Sequence, residues 1–466
     1  MEKRYLDSLP EPKDIQAVVL MGGLGSRLGE RTKSCPKTLT EVGGTAFFDY
    51  QLKIMKAYGF RRFLFLVGYK GEMVERHYGD GGKYGVEISY SYDGGKALGT
   101  GGAVHKAYGL LQDDFLLIYG DSFMDIDYRE TIYRYFCAKL SGHRALMTVM
   151  ENRGRLDASN VVYEDGKIIL YDKSVRTKRM RYIDYGVGMY DKTLFQTGNA
   201  QELPEEKEFD LAVLQNRLSI EGKLAAQEVT NRFYEIGTPA SLEEFRLYAK
   251  QRFCQAGRAV FFDRDGVVNE IVFRDETEQL DSPLKEGEVK FMDGVAQAMR
   301  KLQEAGYYLF IVTNQPAAAK GKVRLADLYQ VNTYICKRLA GEGVRIDGVE
   351  ICPHYPGHPK EPEGNCGINA KKDGAKSGNE KFLLCVCQCR KPKTGMIDAL
   401  ARRFSIDREH SWMVGDSYTD ILAGKGAGLK TAFLGNYKCD ICKRLGEGKP
   451  DLLCGSVEDF ANRILS

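Results

Sequence analysis

The stretch 259–269, AVFFDRDGVVN, lies just past the middle of the 466-residue chain and largely decides the fold. Its apolar run Ala259–Phe262 predicts a short buried strand. Asp263 and Asp265 follow at the end of that strand. At the carboxyl edge of an α/β sheet, one carboxylate can attack phosphorus, another can move a proton, and both can hold Mg²⁺. The alternative is a strand followed by an acidic turn.

Length and composition describe an ordinary globular protein of more than one domain. The chain is 43% hydrophobic and 28% charged, and its length is enough for about three domain-sized units. The formal net charge of +3 indicates neither a nucleic-acid nor a membrane partner. No stretch of eighteen apolar residues occurs, and the first residues have no apolar signal core, so we expect a cytoplasmic protein. The oligomeric state stays open, including a homo-oligomer.

The N-terminal stretch 15–28, IQAVVLMGGLGSRL, predicts an apolar strand that runs into a glycine-rich turn. The backbone N–H groups of Gly22, Gly23 and Gly25 can approach phosphate oxygens closely. Arg27 adds a planar cation, and Lys37 can fold back onto the same phosphates. Asp121 follows a second apolar strand, 115–119, where it can hold Mg²⁺ or cap a turn.

Four motifs in order, GGLGSRL, PKTL, LGTGGA and YGDS, resemble the sugar-1-phosphate nucleotidylyltransferases over about residues 15–250. The segment 68–91 is most similar to the heptose-1-phosphate and mannose-1-phosphate guanylyltransferases. The resemblance implies a Rossmann-like (GT-A-like) α/β domain in which a sugar phosphate attacks the α-phosphorus of GTP. Its nucleotide site would be formed by Leu20, Gly22, Gly23, Gly25, Leu98 and Gly99, with Arg27 and Lys37 as catalytic cations.

The same resemblance implies Mg²⁺ at Asp121 and at Glu235, which stands where the family usually has aspartate. It also places Lys173 against the sugar phosphate, although a solvated turn lysine is the alternative. A predicted amphipathic helix ending at Gly257 would close this domain. We therefore expect a lead-in at 1–14, a nucleotidyltransferase domain at 15–245, a linker helix at 246–257 and a second α/β domain at 258–466.

Later segments of the second domain complete the site that starts at Asp263. A second apolar strand delivers Thr313 and Asn314, which can hydrogen-bond a phosphoryl group. Arg390 and Lys391 supply cations for a phosphoryl transition state, and a third strand ends in Asp416, another ligand for Mg²⁺. The acidic-turn alternative becomes weak once these segments are included.

This order of motifs resembles the haloacid-dehalogenase (HAD) superfamily of phosphatases over residues 258–466. The resemblance implies a Rossmannoid domain in which Asp263 forms an aspartyl-phosphate. Asp265 would donate a proton to the leaving alcohol and then activate water. Asp263, Asp416 and the backbone carbonyl of Asp265 would hold Mg²⁺.

Seven of the twelve cysteines lie between Cys352 and Cys442. This clustering in a chain without a signal peptide favours metal binding over disulfides. Three thiolates and an imidazole make a closed structural zinc site, for which we predict the ligands Cys352, His354, Cys387 and Cys389. Cys385 is the alternative to Cys387. Cys439 and Cys442 form a further pair, for which plain thiols are favoured over a second metal site.

The pattern CPH…CxCRKPxxGM resembles the D-glycero-D-manno-heptose 1,7-bisphosphate phosphatases and, more distantly, the histidinol-phosphate phosphatases. Three features depart from it: the long loop 355–386, Pro316 and Lys320 in place of serine and arginine, and Ser417 in place of lysine. The two resemblances together imply an enzyme that removes the 7-phosphate and then joins heptose 1-phosphate to GMP, toward lipopolysaccharide or S-layer glycans. Two alternatives stay open: another sugar nucleotidyltransferase fused to a different phosphatase such as histidinol-phosphatase, or a nucleotide-sugar sensor or scaffold with one silent domain.

Overall fold

The computed structural model describes residues 8–23, 35–154, 156–196, 208–356, 380–435 and 448–466. These residues form two compact units, Leu9–Lys250 and Gln251–Ser466, and Ser8 groups with the second. The finer partition predicted above, with a separate linker helix at 246–257, stays a prediction.

The N-terminal unit is an α/β unit built on a large mixed sheet. Its strands are β1 (Gln16–Met21), β2 (Glu41–Val42), β3 (Thr45–Ala46), β4 (Arg62–Val67), β5 (Glu87–Tyr92), β6 (Asp114–Tyr119), β7 (Ser122–Phe123), β8 (Ala145–Glu151), β9 (Val161–Glu164), β10 (Lys167–Tyr171), β11 (Tyr182–Asp191), β12 (Leu224–Glu228) and β13 (Tyr234–Glu235). Its helices are α1 (Phe47–Tyr58), α2 (Gly71–Tyr78), α3 (Gly99–Lys106), α4 (Tyr128–Leu140), α5 (Leu211–Ile220) and α6 (Pro239–Ala249).

Nine of these strands form one sheet in the order β10-β9-β11-β6-β1-β4-β5, with β8 beside β11 and β12 beside β8. Strand β1 is central, buried along its whole length and parallel to both β4 and β6. A strand buried on both faces requires a continuous apolar sequence, which explains the run QAVVLM. Because β1 and β6 are parallel, the residues that follow them, Gly22 and Asp121, leave the sheet at the same edge.

The C-terminal unit has a six-stranded, fully parallel sheet. The strands of the whole unit are β14 (Ala259–Phe262), β15 (Val272–Arg274), β16 (Gln279–Asp281), β17 (Tyr308–Asn314), β18 (Gly348–Cys352), β19 (Trp412–Gly415), β20 (Lys430–Leu434) and β21 (Leu452–Cys454). Its helices are α7 (Val295–Glu304), α8 (Leu325–Gly341), α9 (Gly395–Arg403), α10 (Tyr418–Gly426) and α11 (Val457–Leu465). The sheet order is β18-β17-β14-β19-β20-β21, while β15 and β16 form a separate hairpin.

Alternate residues of β14 pack into two different cores, as the side-chain period of a strand requires. Val260 and Phe262 join the core with α7, α8 and α11, whereas Phe261 joins the core with α9. Both faces of the sheet are therefore covered by helices. The carboxyl ends of β14, β17 and β19 remain open at one edge, where Asp263 and Asp416 follow their strands.

The helix predicted to end at Gly257 has different limits in the structure. Helix α6 begins after Thr238, whose side chain accepts a hydrogen bond from the Ser241 N–H, and ends at Ala249. A π-helical turn, Lys250–Cys254, follows it. Within the described parts of the chain, no helix combines the length and apolar character needed to cross a membrane.

Candidate active sites

A cavity of about 460 Å³ opens at the carboxyl edge of β1 in the N-terminal unit. On the side of the glycine-rich turn, the cavity is lined by Leu20, Gly22 and Gly23. Gly99, at the start of α3, also lines the cavity. The other lining residues are Met21, Lys37, Thr38, Leu66, Asp93, Ala97, Thr100, Ala103, Tyr119, Asp121 and Gly237. Two predicted site residues, Gly25 and Arg27, lie outside the described residues.

Lys37, Asp121 and Glu235 converge at this cavity. The buried Lys37 ammonium donates to Asp121 Oδ2 at 2.6 Å and to Glu235 Oε1 at 3.3 Å. Strand pairing places Glu235 there, because it lies opposite Ser122 in the short β7–β13 ladder. The structure thus brings the two predicted metal carboxylates together and puts the predicted catalytic lysine between them.

The start of α3 gives the cavity a wall of backbone. Gly99 has a φ of +71°, and a Cβ there would lie 2.5 Å from the Phe209 carbonyl oxygen, so the position favours glycine. Leu98, directly before it, is partly buried, and its carbonyl accepts from the Phe209 N–H. The close approach of these two segments fixes the wall.

Lys173 lies away from the lining residues of the cavity. Its ammonium is 3.4 Å from both carboxylate oxygens of Asp210, and both side chains are about half exposed. Asp210 in turn accepts from the hydroxyl of Thr100, which does line the cavity. The predicted sugar-phosphate lysine is thus connected to the cavity through two side chains.

Asp93 is a cavity residue that the sequence analysis missed. It follows β5, and its Oδ2 lies 3.1 Å from where a Cβ on Gly22 would be. Among the described residues, none donates a hydrogen bond to its carboxylate, and burial raises the pKa of this group. The only sequence signal was an acidic residue directly after a strand, in YDGG.

In the C-terminal unit, Asp263 faces a buried lysine. The Lys391 ammonium is 2.8 Å from Asp263 Oδ1 and 2.6 Å from Asp420 Oδ1, and it also donates to the Val312 carbonyl at 2.9 Å. Asp420 was also missed by the sequence analysis. It lies in the first turn of α10, four residues after Asp416, and its carboxylate accepts from the Ser417 N–H at 3.0 Å.

The Asp265 carboxylate is surrounded by donors. It accepts from Asn269 at 3.0 Å, from Ser282 at 2.8 Å and from Gln315 at 2.6 Å, in addition to an ion pair with Arg264. Burial alone would raise its pKa, but the Arg264 charge and these donors hold the pKa below its usual range. These contacts therefore favour the ionised form of the Asp265 carboxyl.

Asp416 completes a group of carboxylates with Asp263 and Asp420, whose ligand atoms all lie within 4.8 Å of one another. Gly266 permits this crowding, because a Cβ there would lie 2.1 Å from Asp416 Oδ2. Burial raises the pKa of Asp263 to about 7 and that of Asp416 to about 6, and neighbouring carboxylates add to both shifts. Excess negative charge on oxygen ligands fits a hard divalent cation such as Mg²⁺.

The other predicted phosphate-binding residues fix the loops around this site. The Thr313 hydroxyl is buried and accepts from the Gln315 amide at 2.9 Å. The Asn314 amide exchanges two hydrogen bonds with the backbone of Lys391, at 3.0 and 3.2 Å. Arg390 donates to the His354 carbonyl at 3.4 Å. Asn314 thus connects the end of β17 to the loop that carries Lys391.

The predicted zinc ligands are close together. The Cys352 sulfur is 3.6 Å from that of Cys387 and 3.2 Å from that of Cys389, and His354 Nδ1 is 3.2 Å from Cys389. Tetrahedral Zn–S bonds of about 2.3 Å would place two sulfurs about 3.8 Å apart, so the donor set fits zinc. Cys385 is exposed and outside this group. Cys439 and Cys442 lie outside the described residues.

Comparisons with known proteins match the two halves of the chain to different families. A family model described as nucleotidyl transferase matches residues 16–252, and a model described as HAD-hydrolase-like matches residues 388–460. The chain is 34% identical over 204 residues to the D-glycero-beta-D-manno-heptose-1,7-bisphosphate 7-phosphatase of Haemophilus ducreyi, covering 44% of this chain and 96% of that protein.

Two solved structures are also similar. HddC from Yersinia pseudotuberculosis, in complex with GMP-PN, is 19% identical with a TM-score of 0.41, covering 50% of this chain and 99% of its own. The D,D-heptose 1,7-bisphosphate phosphatase of B. bronchiseptica, with magnesium and phosphate, is 27% identical with a TM-score of 0.33, covering 45% of this chain and 98% of its own.

Proposed function

Because the chain belongs to the nucleotidyl transferase family through its N-terminal half and to the D-glycero-beta-D-manno-heptose-1,7-bisphosphate 7-phosphatases through its C-terminal half, we propose that it catalyses two consecutive steps of heptose activation. The C-terminal unit removes the 7-phosphate of D-glycero-D-manno-heptose 1,7-bisphosphate. The N-terminal unit joins the resulting heptose 1-phosphate to GMP from GTP and releases pyrophosphate.

The observation that carries the phosphatase assignment is the meeting of Asp263, Lys391 and Asp265 at the end of β14. Asp263 attacks the phosphorus, so a bond to its carboxylate oxygen forms while the bond to the sugar oxygen breaks. Asp265 gives a proton to the leaving oxygen and later takes one from the water that hydrolyses the aspartyl-phosphate. Lys391 holds the Asp263 carboxylate and neutralises charge on the phosphoryl group.

The transferase needs no protein nucleophile, because the sugar phosphate itself attacks the α-phosphorus. The chain supplies position and charge. The backbone of Gly22 and Gly23 lines the cavity in which a nucleoside triphosphate would fit, and Lys37 lines the same cavity and would neutralise its phosphates. Arg27 would add a second cation, and Lys173 would bind the sugar phosphate.

Asp93 supports guanine as the base. A carboxylate in a pocket for a triphosphate repels phosphates, so it suits a part of the ligand that donates hydrogen bonds. Guanine presents N1–H and an amino group side by side, which match the two oxygens of a carboxylate. Adenine lacks that pair of donors, so the same carboxylate disfavours it.

Metals fit both sites by the chemistry of their donors. Asp121 and Glu235 would hold Mg²⁺ in the N-terminal unit, and Asp263, Asp416 and the Asp265 carbonyl would hold it in the C-terminal unit. In both units Mg²⁺ would neutralise charge on phosphate oxygens. Cys352, His354, Cys387 and Cys389 would hold a structural Zn²⁺ that anchors the loop before Arg390.

The two functional assignments support each other, because the product of the phosphatase is the substrate of the transferase. Partners would therefore be small molecules, and we propose a cytoplasmic enzyme that supplies nucleotide-activated heptose for lipopolysaccharide or S-layer glycans. A sensor with one silent domain is disfavoured, since both units retain charged groups in contact at the expected strand ends.

The test is to incubate the full chain with heptose 1,7-bisphosphate, Mg²⁺ and each nucleoside triphosphate in turn, and to identify products by mass spectrometry. We expect phosphate, pyrophosphate and GDP-heptose, with the nucleotide sugar formed only when both substrates are present. If heptose 1,7-bisphosphate is not hydrolysed while histidinol phosphate is, the phosphatase substrate is wrong. If mannose 1-phosphate is the preferred acceptor, the transferase substrate is wrong.

A further inference from the structure

Arg264, between the two aspartates of the DRD sequence, is completely buried, and the phosphatase mechanism above does not use it. An arginine cannot lose its charge in a protein, and a buried cation is costly unless its donors are paired. A buried arginine next to reacting carboxylates therefore needs an explanation from its contacts.

The contacts of Arg264 form a fork on Asp265. Its Nε donates to Asp265 Oδ1 at 3.0 Å and its Nη2 donates to Asp265 Oδ2 at 3.2 Å. A bidentate pair of this kind fixes the plane of the carboxylate as well as its position. The third nitrogen, Nη1, donates to Asn332 Oδ1 at 2.8 Å.

Asn332 links the fork to a rigid element. It is nearly buried and lies in the middle of α8, a 17-residue helix whose side chains pack into the core against β14. The backbone of Arg264 is fixed as well, because its carbonyl accepts from the N–H groups of Val268 and Asn269 at 2.8 and 3.0 Å. Both ends of the arginine are therefore held.

We propose that Arg264 is a positioning residue, which, held by Asn332, orients the Asp265 carboxyl so that it can pass a proton to the leaving sugar oxygen. This inference rests on the phosphatase step proposed above. In that step the P–O bond to the sugar breaks as the bond to Asp263 forms, and the proton of Asp265 moves to the departing oxygen. Without the fork, Asp265 keeps its neutral donors but loses the contact that fixes its plane.

The test exploits the leaving group. A sugar alkoxide needs a proton to depart, whereas p-nitrophenolate departs without one, so loss of oriented proton transfer harms only the first ester. Single-turnover release of the leaving group, with the full chain in excess over ester, isolates this step. We expect Arg264→Met to slow heptose 1-phosphate release from heptose 1,7-bisphosphate by about 100-fold and p-nitrophenolate release by less than about 5-fold.

A second signature concerns the aspartyl-phosphate. Since Asp265 also takes the proton from water, the Arg264→Met variant should give a burst of one equivalent of p-nitrophenolate followed by slow turnover. Asn332→Ala leaves Arg264 in place and should also slow sugar release more than p-nitrophenolate release. The slowing of sugar release should be about a tenth of that in Arg264→Met. Asn332→Ala also keeps the test valid if Arg264→Met does not fold.

Asp265→Asn provides the epistasis control. If Arg264 acts through Asp265, adding Arg264→Met to Asp265→Asn should change sugar release by less than about 3-fold. Arg403→Met removes another buried arginine, paired with Glu350 away from the reacting groups, and should affect both esters equally.

The inference is overturned if Arg264→Met or Asn332→Ala slows both esters to the same extent, or if Arg264→Met adds its full effect to Asp265→Asn. Failure of the proposed function gives a different result. In that case the unmodified chain does not hydrolyse heptose 1,7-bisphosphate, and the comparison is made with whichever alkyl phosphate it does cleave.

Discussion

The Asp93 carboxylate lies beside Gly22 in the proposed nucleotide pocket, and Asp93→Asn keeps its size while replacing one acceptor by a donor. We expect kcat/KM with GTP to fall by about 30-fold and that with ATP to change by less than about 3-fold, because a pocket that accepts hydrogen bonds discriminates through those bonds. Steady-state pyrophosphate release measures both values.

Inosine triphosphate provides the control for Asp93, because it keeps N1–H and lacks the amino group. The unmodified chain should prefer GTP over inosine triphosphate, and Asp93→Asn should lose that preference. If the ratio of kcat/KM with GTP to kcat/KM with ATP is unchanged in the variant, Asp93 does not contact the base.

The crowded carboxylates Asp263 and Asp416 should make stability depend on pH and Mg²⁺ together. The pKa is about 7 for Asp263 and about 6 for Asp416, whereas the ordinary value is 3.8. Between pH 3.8 and these raised values, the folded state therefore binds more protons than the unfolded state. Without Mg²⁺, the contribution of these two carboxyls to the free energy of unfolding is therefore greatest below about pH 4. This contribution is lost as the pH rises toward 7. Mg²⁺, held as proposed above, would bind the ionised form and should offset this loss.

The measurement is the Tm of the C-terminal unit at pH 5 and pH 8, with and without Mg²⁺. We expect Mg²⁺ to raise the Tm by more at pH 8 than at pH 5. An Asp263→Asn/Asp416→Asn double variant should lose most of this difference. Equal stabilisation at both pH values would contradict a site made of these two carboxylates.

At the scale of elements, the cysteine cluster ties β18 to the loop before Arg390. Cys387→Ser should release zinc, lower the Tm by several degrees and reduce phosphatase activity, because the loop that carries Lys391 loses its anchor. Zinc content and calorimetry measure the first two effects. Cys385→Ser is the matched control two residues away, and equal effects of both substitutions would reject the proposed ligand set.

Parallel strands explain which parts of the sites could be predicted from the sequence. Asp263, Thr313 and Asp416 follow or end strands that run in one direction, so they had to meet at one edge once the strands were recognised. The family assignments and the α/β class are confirmed by the comparisons. The individual roles of the site residues remain predictions.

The residues that were missed depend on contacts that no local pattern encodes. Asp420 becomes a partner of Lys391 only through the position of α10 against β19. Asp93 reaches the cavity beside β1 only because β5 is parallel to β4 and ends near Gly22. Arg264 appears as an ordinary residue between two aspartates until its burial is known.

At the scale of the whole molecule, each unit has its own sheet and its own site, so the two activities should be separable. Asp121→Asn should abolish nucleotide transfer and leave phosphate release unchanged, and Asp263→Asn should do the reverse. Each loss is expected to exceed about 1,000-fold, since we propose that these groups contact the reacting phosphates or their metal. Separate assays of phosphate and pyrophosphate release measure the two effects.

Mixing the two variants provides the control. Together they should restore formation of the nucleotide sugar from heptose 1,7-bisphosphate, because the intermediate can diffuse from one polypeptide to the other. Loss of both activities in either single variant would show that the substitution has damaged more than one unit.

Each large sheet is also built from one uninterrupted stretch of chain: all strands of the first lie between Gln16 and Glu228, and all strands of the second between Ala259 and Cys454. On the ribosome, the first sheet can therefore be completed while the second is still incomplete. A chain whose synthesis stops shortly after residue 250 would leave a folded transferase without its phosphatase. Premature termination would then remove the earlier of the two reactions and spare the later one.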